Sequence, residues 1–291
     1  MSAIGYYLAL PFLYGIALLP FPLLYILSDL TRFLLFGVIG YRKDVVLTNL
    51  RKSFPEKSEA EIRAIAKRFY RWFCDLTLET LKTLTISPEE VRRRVSFPGA
   101  DVFRPFVERN QSVIIVMGHY GNWELAGARF AVEPGVHPLV VIYHPLQNPH
   151  FEKLIVHMRT RLGNRLYAMA DTFKGMVRDR SRLTATAFIA DQTPAPERAY
   201  WTTFLHQDTP VFTGTGVIAK KLGYPLIYIS IQQPRRGTYE MGAEVLVEEP
   251  QMMSENDINQ LHTERLERDI RQKPDLWLWT HRRWKHKRPN A

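Results

Sequence analysis

His119 and Glu124 stand five residues apart in the run Val116-Met117-Gly118-His119-Tyr120-Gly121-Asn122-Trp123-Glu124. Those two residue types at that spacing can make a general base. Imidazole changes charge near neutral pH, and a carboxylate beside it fixes one tautomer and stabilises the protonated ring. Such a pair takes a proton from an alcohol with no need of a metal or a thiol. The apolar run from Ser112 to Met117 predicts a buried strand ending at Gly118, with His119 in the turn at its carboxyl end. Ligands of open α/β sheets bind at that end. Gly121 permits a tight turn, and Glu124 falls in the first turn of the next helix, where a negative charge is favourable in any case. Spacing alone therefore leaves two readings open: a dyad facing across the turn, or a surface histidine beside a helix-terminal glutamate. A zinc site drawn from His119, Glu124, His144 and His150 lacks the helical HExxH spacing, so no metal is expected. The single cysteine, Cys74, excludes an internal disulfide and any multi-cysteine metal site.

These residues need a scaffold, and the rest of the chain supplies an α/β pattern. A short helix is predicted over 44–54, and Ser58-Glu59-Ala60-Glu61 has the form of a capping box opening a long amphipathic helix to about Leu84. Ser87-Pro88 opens another helix. From residue 112, short apolar runs alternate with helical patterns: strands at 112–117, 138–143, 165–168, 183–190, 225–231 and 239–247, helices at 122–131, 149–162, 172–180, from Thr213 to Leu222, and 254–272. That alternation predicts a mixed, mostly parallel central sheet flanked by helices. The organisation expected is a hydrophobic anchor over 1–40, a helical part over 41–95 and an α/β core over 96–291.

With 291 residues, 46% hydrophobic and 23% charged, the chain is neither disordered nor polytopic, and its net charge of +10 favours a polyanionic partner. The charge is unevenly placed. Residues 1–31 contain no Lys or Arg, and Asp29 is their one charge. That apolar run is long enough to cross a bilayer, but Pro11, Pro20 and Pro22 interrupt it, so a kinked helix lying in one leaflet fits at least as well. Cations begin at Arg32, which would leave the bulk of a spanning chain in the cytoplasm. Residues 272–291 carry six Lys and Arg against Asp275, interleaved with Trp277, Trp279 and Trp284. Indoles with cations suit a membrane surface, a phosphorylated sugar or single-stranded nucleic acid; the plain alternative is a solvated tail with core tryptophans.

The HYGNWE segment resembles the H-x4-D/E signature of glycerolipid acyltransferases, and nearly the whole chain resembles one branch of them, the lipid A biosynthesis (lauroyl/myristoyl) acyltransferase family of the lysophospholipid acyltransferase superfamily. The similarity runs in order through Tyr41-Arg42-Lys43, Asn49-Leu50-Arg51, Phe54-Pro55-Glu56, Tyr143-His144-Pro145-Leu146-Gln147-Asn148-Pro149, Arg159 with Gly163, Ala190-Asp191-Gln192, Thr213-Gly214 and Trp279-Thr280-His281-Arg282-Arg283-Trp284-Lys285. H-x4-E alone is a weak signal; the ordered series is specific. Two places depart from the pattern: Phe204-Leu205-His206 stands where Phe-Phe-Gly often follows, and Asp191-Gln192-Thr193-Pro194 where some relatives have Asp-His-Asp.

The resemblance implies a membrane-associated O-acyltransferase at the cytoplasmic face of the inner membrane, active in a late step of lipid A and lipopolysaccharide synthesis. His119 would deprotonate a hydroxyl, and the oxygen would attack an acyl thioester carried by acyl carrier protein or coenzyme A, with no cofactor. Glu124 would orient His119, with Asp191 as an alternative or additional partner. Arg159 could bind a phosphate or an oxyanion, the helix starting near Thr213 is another anion site, and Asn122, Gln192, His281, Arg282 and Arg283 complete the candidate substrate contacts. Inner-membrane lipids, acyl carrier protein and a phosphorylated glycolipid acceptor are the partners implied, and nucleic acid is not. Lysophospholipid or aminolipid acylation is the alternative activity. A membrane-tethered nucleic-acid or polyanion binder is the non-enzymatic one; it would show salt-sensitive oligonucleotide binding and leave the dyad unexplained.

Overall fold

The computed structural model describes residues 3–288, and its elements follow the sequence pattern closely. Two apolar helices come first, α1 (Ala3–Leu18) and α2 (Phe21–Arg32), broken at Pro20 and prolonged by a π-helical turn, Phe33–Ile39. Carbonyls left open at the break, those of Ala17 and Leu19, accept hydrogen bonds from Lys82 Nζ and Thr85 Oγ1. Next come α3 (Lys43–Ser53) and α4 (Glu59–Lys82). The expected capping box is formed: Ser58 Oγ accepts from the Glu61 amide while the Glu61 carboxylate accepts from the Ser58 amide. Helix α5 (Pro88–Arg94) is capped by Ser87.

The remaining elements are β1 (Val95–Ser96), α6 (Arg104–Glu108), β2 (Val113–Met117), α7 (Trp123–Ala131), β3 (Leu139–Tyr143), α8 (Pro149–Thr160), β4 (Arg165–Ala168), α9 (Thr172–Arg178), β5 (Ala185–Ile189), β6 (Tyr200–Phe204), β7 (Gln207–Val211), α10 (Gly214–Leu222), β8 (Leu226–Arg235), β9 (Thr238–Val247) and α11 (Glu255–Gln272). Seven strands make the central sheet, in the order β1-β9-β8-β2-β5-β3-β4, parallel throughout except where β9 runs antiparallel to β8. Strand β2 shows why both faces are covered. Val113 and Ile115 point into one apolar cluster with Leu125 and Ala126 of α7, whereas Ile114 and Val116 point into another with α4, α10 and α11.

The β6–β7 hairpin was not legible in the sequence. Its two-residue turn is Leu205-His206, both at positive φ (50° and 63°), the conformation for which Asn-Gly is the usual signal. Tertiary contacts hold it instead: Leu205 is fully buried and its amide donates to Glu267 Oε2 on α11.

The tail also differs from one expectation. Trp277 and Trp279 are core residues at 2% and 0% exposure, and Trp284 packs on Phe204 and Trp277, so none offers its indole as a surface platform. Most exposed large apolar side chains lie instead between Tyr7 and Ile39. Within that region Phe21–Ile39 is long and apolar enough to cross a bilayer, with a mean hydropathy of 1.6.

Candidate active site

The sheet register decides which carboxylate meets His119. Strands β2 and β5 are parallel neighbours with Met117 opposite Ile189. Two residues beyond those partners, at the same carboxyl edge, stand His119 and Asp191. His119 Nδ1 lies 2.6 Å from Asp191 Oδ1, and the His119 amide donates to Oδ2 at 2.8 Å. Trp277 Nε1 donates to the same Oδ2 at 2.8 Å. Glycines let the turn sit this close. A Cβ on Gly118 would meet Leu266 at 2.6 Å, and Gly121, at φ +65°, has Ile231 at 2.5 Å.

Charge and tautomer follow from these contacts. Burial pushes the Asp191 carboxyl up, but His119 and the hydrogen bonds outweigh it and hold the group down at about 2. An ionised carboxylate only accepts, so Nδ1 of His119 carries a proton, and in the neutral ring it is Nε2 that keeps the lone pair. Nε2 is 3.4 Å from the Gln192 side-chain nitrogen. Trp123 meets the ring edge-on at 4.9 Å.

Glu124 does not contact His119, contrary to the first expectation. Its carboxylate takes two hydrogen bonds from Arg159 on α8, at 3.1 Å from Nε and 2.5 Å from Nη2. The physical reason is competition: Arg159 on α8 holds the Glu124 carboxylate, while Nδ1 of His119 is already taken by Asp191, just beyond β5. Burial works against the Arg159 charge, but Glu124 outweighs it and raises the guanidinium above its ordinary range.

A cleft of about 760 Å³ opens in front of His119. Glu124, Arg159, Gln192 and His281 line it, as does Lys285 of the closing motif. Apolar side chains of β3, α8 and β5, among them Ile142, Met158 and Phe188, form much of the rest. Burial lowers the His281 imidazole, whose Nε2 is 3.2 Å from Thr193 Oγ1.

Four proposed substrate contacts sit elsewhere. Asn122 is fully buried beneath the turn, where Oδ1 caps α7 through the Leu125 amide and Nδ2 donates to Glu79. Thr213 precedes α10 without lining the cleft, although Gly214 and Thr215 do. Arg282 is exposed away from the cleft lining. Arg283 is buried at 2% exposure, against Asp191 rather than in the cleft. Sequence reasoning missed Glu79 and Trp277, whose helix and tail positions carry no spacing signal relative to His119. Among the described residues no group of three His, Cys, Asp or Glu side chains is placed to hold a metal. Cys74 is buried on α4, and burial pushes its thiol up to about 11, which makes it a poor nucleophile.

The geometry can be set beside known proteins. The profile of the family described as bacterial lipid A biosynthesis acyltransferase matches residues 1–286. The chain belongs to the bacterial lipid A biosynthesis acyltransferase family. Within it, the chain is 23% identical over 289 residues to the lipid A biosynthesis lauroyltransferase of Escherichia coli (strain K12), covering 96% of this chain and 90% of that one. The lipid A biosynthesis palmitoleoyltransferase of the same organism is 23% identical over 92% of this chain and 86% of its own. Its lipid A biosynthesis myristoyltransferase is 25% identical over 158 residues, 54% of this chain, and the match spans about half (48%) of that relative.

Proposed function

We propose that this member of the lipid A acyltransferase family moves a fatty acyl chain from a thioester, on acyl carrier protein or coenzyme A, to a hydroxyl of a phosphorylated lipid A precursor. The observation that carries the reading is His119, backed by an ionised Asp191, with Nε2 facing a cleft and met there, among the described residues, only by a long 3.4 Å contact from Gln192, the cleft being apolar along one side and cationic along another. Nε2 takes the proton of the acceptor hydroxyl as its oxygen bonds to the thioester carbonyl carbon. The tetrahedral intermediate collapses with loss of the C–S bond, and the proton on Nε2 passes to the departing sulfur. Imidazolium formed in between is stabilised by Asp191, a positioning residue. Arg159 bonds to Glu124 through Nε and Nη2, which leaves Nη1 for the oxyanion or a phosphate. Lys285 adds a second cation at the rim.

A lipid supply route supports the same reading. Tyr6, Leu10 and Leu13 of α1 pack against Leu154 and Met158 of α8, and Met158 also lines the cleft. The exposed apolar faces of α1 and α2 would thus lie in the inner-membrane leaflet beside the cleft, with the α/β core on the cytoplasmic face. Residues 1–40 act as the anchor and 41–291 as the acyltransferase domain in this account.

Mass spectrometry of envelope lipids tests it. Cells lacking the protein should lose one acyl chain from lipid A and regain it with the unaltered gene but not with His119→Ala. Loss of the acyl chain from a phospholipid or aminolipid instead would reassign the acceptor, and restoration by His119→Ala would remove the mechanism.

A further inference from the structure

Behind Asp191 lies a cation that the described protein atoms do not satisfy. Arg283 is 2% exposed, and its Nε and Nη1 have no hydrogen-bond partner among the described residues. His262 of α11, at 6% exposure, has its Nε2 in the same condition. Both side chains, together with Asp191 and Phe204, wall a cavity of about 10 Å³, which is room for one water. Arg283 lines this cavity and not the cleft.

The hydrogen-bonding capacities fit a single water. Burial lowers the His262 imidazole to about 4, so the ring is neutral, with one donor and one acceptor nitrogen. Asp191 Oδ2 already accepts from the His119 amide and Trp277, whereas Oδ1 accepts only from His119 Nδ1 and has a lone pair to spare. A guanidinium can donate to a water, and that water has two protons to give. A bare buried guanidinium is otherwise among the most costly groups to desolvate.

We propose that one internal water joins Arg283 to His262 and Asp191, and that Arg283 acts through it as a positioning residue, keeping the carboxylate ionised and fixed behind His119. The inference rests on the reading of His119 as the general base. Arg283 touches no substrate. Like charges repel, and removing the Arg283 charge is therefore expected to favour the imidazolium of His119. The other groups facing His119 are Asp191 and His262 behind it, and the Glu124–Arg159 pair, His281 and Lys285 on the cleft side; the variants below leave all of them in place.

The test uses the full-length protein in detergent, with ¹⁵N-labelled histidine and the imidazole signals followed across pH. His119 is identified by the signal lost in His119→Gln. Arg283→Gln keeps a hydrogen-bonding side chain without the charge, and should raise the titration midpoint of His119 by about 1 pH unit relative to the unaltered protein. Arg283→Lys keeps the charge and should move it by less than about 0.3 unit. An unmoved midpoint in a folded Arg283→Gln protein overturns the proposal. This readout needs no turnover, so a failure of the acyl-transfer reading would show separately, as a shifted midpoint with no acyl transfer at any pH. Should Arg283→Gln not fold, a high-resolution crystal structure of the unaltered protein decides. A water within about 3.2 Å of both Arg283 and His262 Nε2 supports the proposal, and an empty cavity or a direct Arg283–carboxylate pair overturns it.

Discussion

Behind His119, Asp191 is 8% exposed and takes hydrogen bonds from the His119 ring, the His119 amide and Trp277, all on elements fixed by the sheet or the core. In front, Glu124 takes both of its hydrogen bonds from one arginine on α8, at the wall of a wide cleft. Both are carboxylates near one imidazole, yet one is built into the fold and the other is built into the binding surface. In the proposed mechanism the difference separates the labour: Asp191 would set the state of the base, and Glu124 would set the place of Arg159. A buried carboxylate held by several hydrogen bonds keeps its geometry through turnover, which is what a partner of a general base needs. A cleft-side ion pair can yield or share donors when a charged substrate arrives.

Removing the residue common to both sides should have the largest effect. His119→Ala should lower acyl transfer by at least about 10³-fold, within the range attributed to general-base help. Its melting temperature should stay near that of the unaltered protein, because the ring lies at the cleft floor. Next, the front wall can be tested as a unit. Glu124→Gln and Arg159→Gln should each cost about 10²-fold in turnover, and the double variant should be no slower than the slower single one. Additive losses would mean that Glu124 acts on His119 independently of Arg159.

A third carboxylate sharpens the contrast through stability rather than rate. Glu79 is fully buried beneath the turn and accepts from Tyr25, Tyr239 and Asn122. Desolvation outweighs these neutral donors and pushes its carboxyl up to about 7 from 4.5. The folded state therefore holds a proton that the unfolded chain releases. Glu79 should lower stability as pH rises from about 4.5 to about 7, by up to about 3 kcal/mol. His262 has the opposite sign, since its depressed imidazole adds stability as pH rises from about 4 to 6.5. The prediction is thus a difference: unfolding free energies of Glu79→Gln minus those of the unaltered protein should climb across pH 4.5–7. A flat difference would show that Glu79 is ionised in the fold. Asp191 does not interfere, because its lowered carboxyl loses its contribution only as pH falls toward about 2.

How much of this was readable beforehand depends on what kind of interaction placed each residue. Local rules located most elements: the Ser58 capping box, the Pro at the start of α5 and the apolar run of β2 all act within a few residues of themselves. His119 was legible for the same reason, as the first polar residue after a buried strand. Its partner was only half legible. Asp191 was visible as a strand end, but choosing it over Glu124 needs the pairing of β2 with β5, a contact across 72 residues. The β6–β7 hairpin was hidden because Leu205 and His206 carry no turn signature and rely on α11 for their conformation. The tail misled through composition, since Trp277 and Arg283 look like a surface motif and are buried by packing against Phe204 and α11.

Purified Asp191→Asn protein, assayed for acyl transfer from an acyl thioester to a lipid A precursor, tests the central claim most directly. Asparagine keeps the size of the side chain but can present an N–H to the His119 ring, so the correct tautomer and the stabilised imidazolium are both lost. The account predicts a fall in kcat of about 10²–10⁴-fold with KM within about threefold of the unaltered value. An Asp191→Asn protein that transfers acyl groups at the unaltered rate would contradict it.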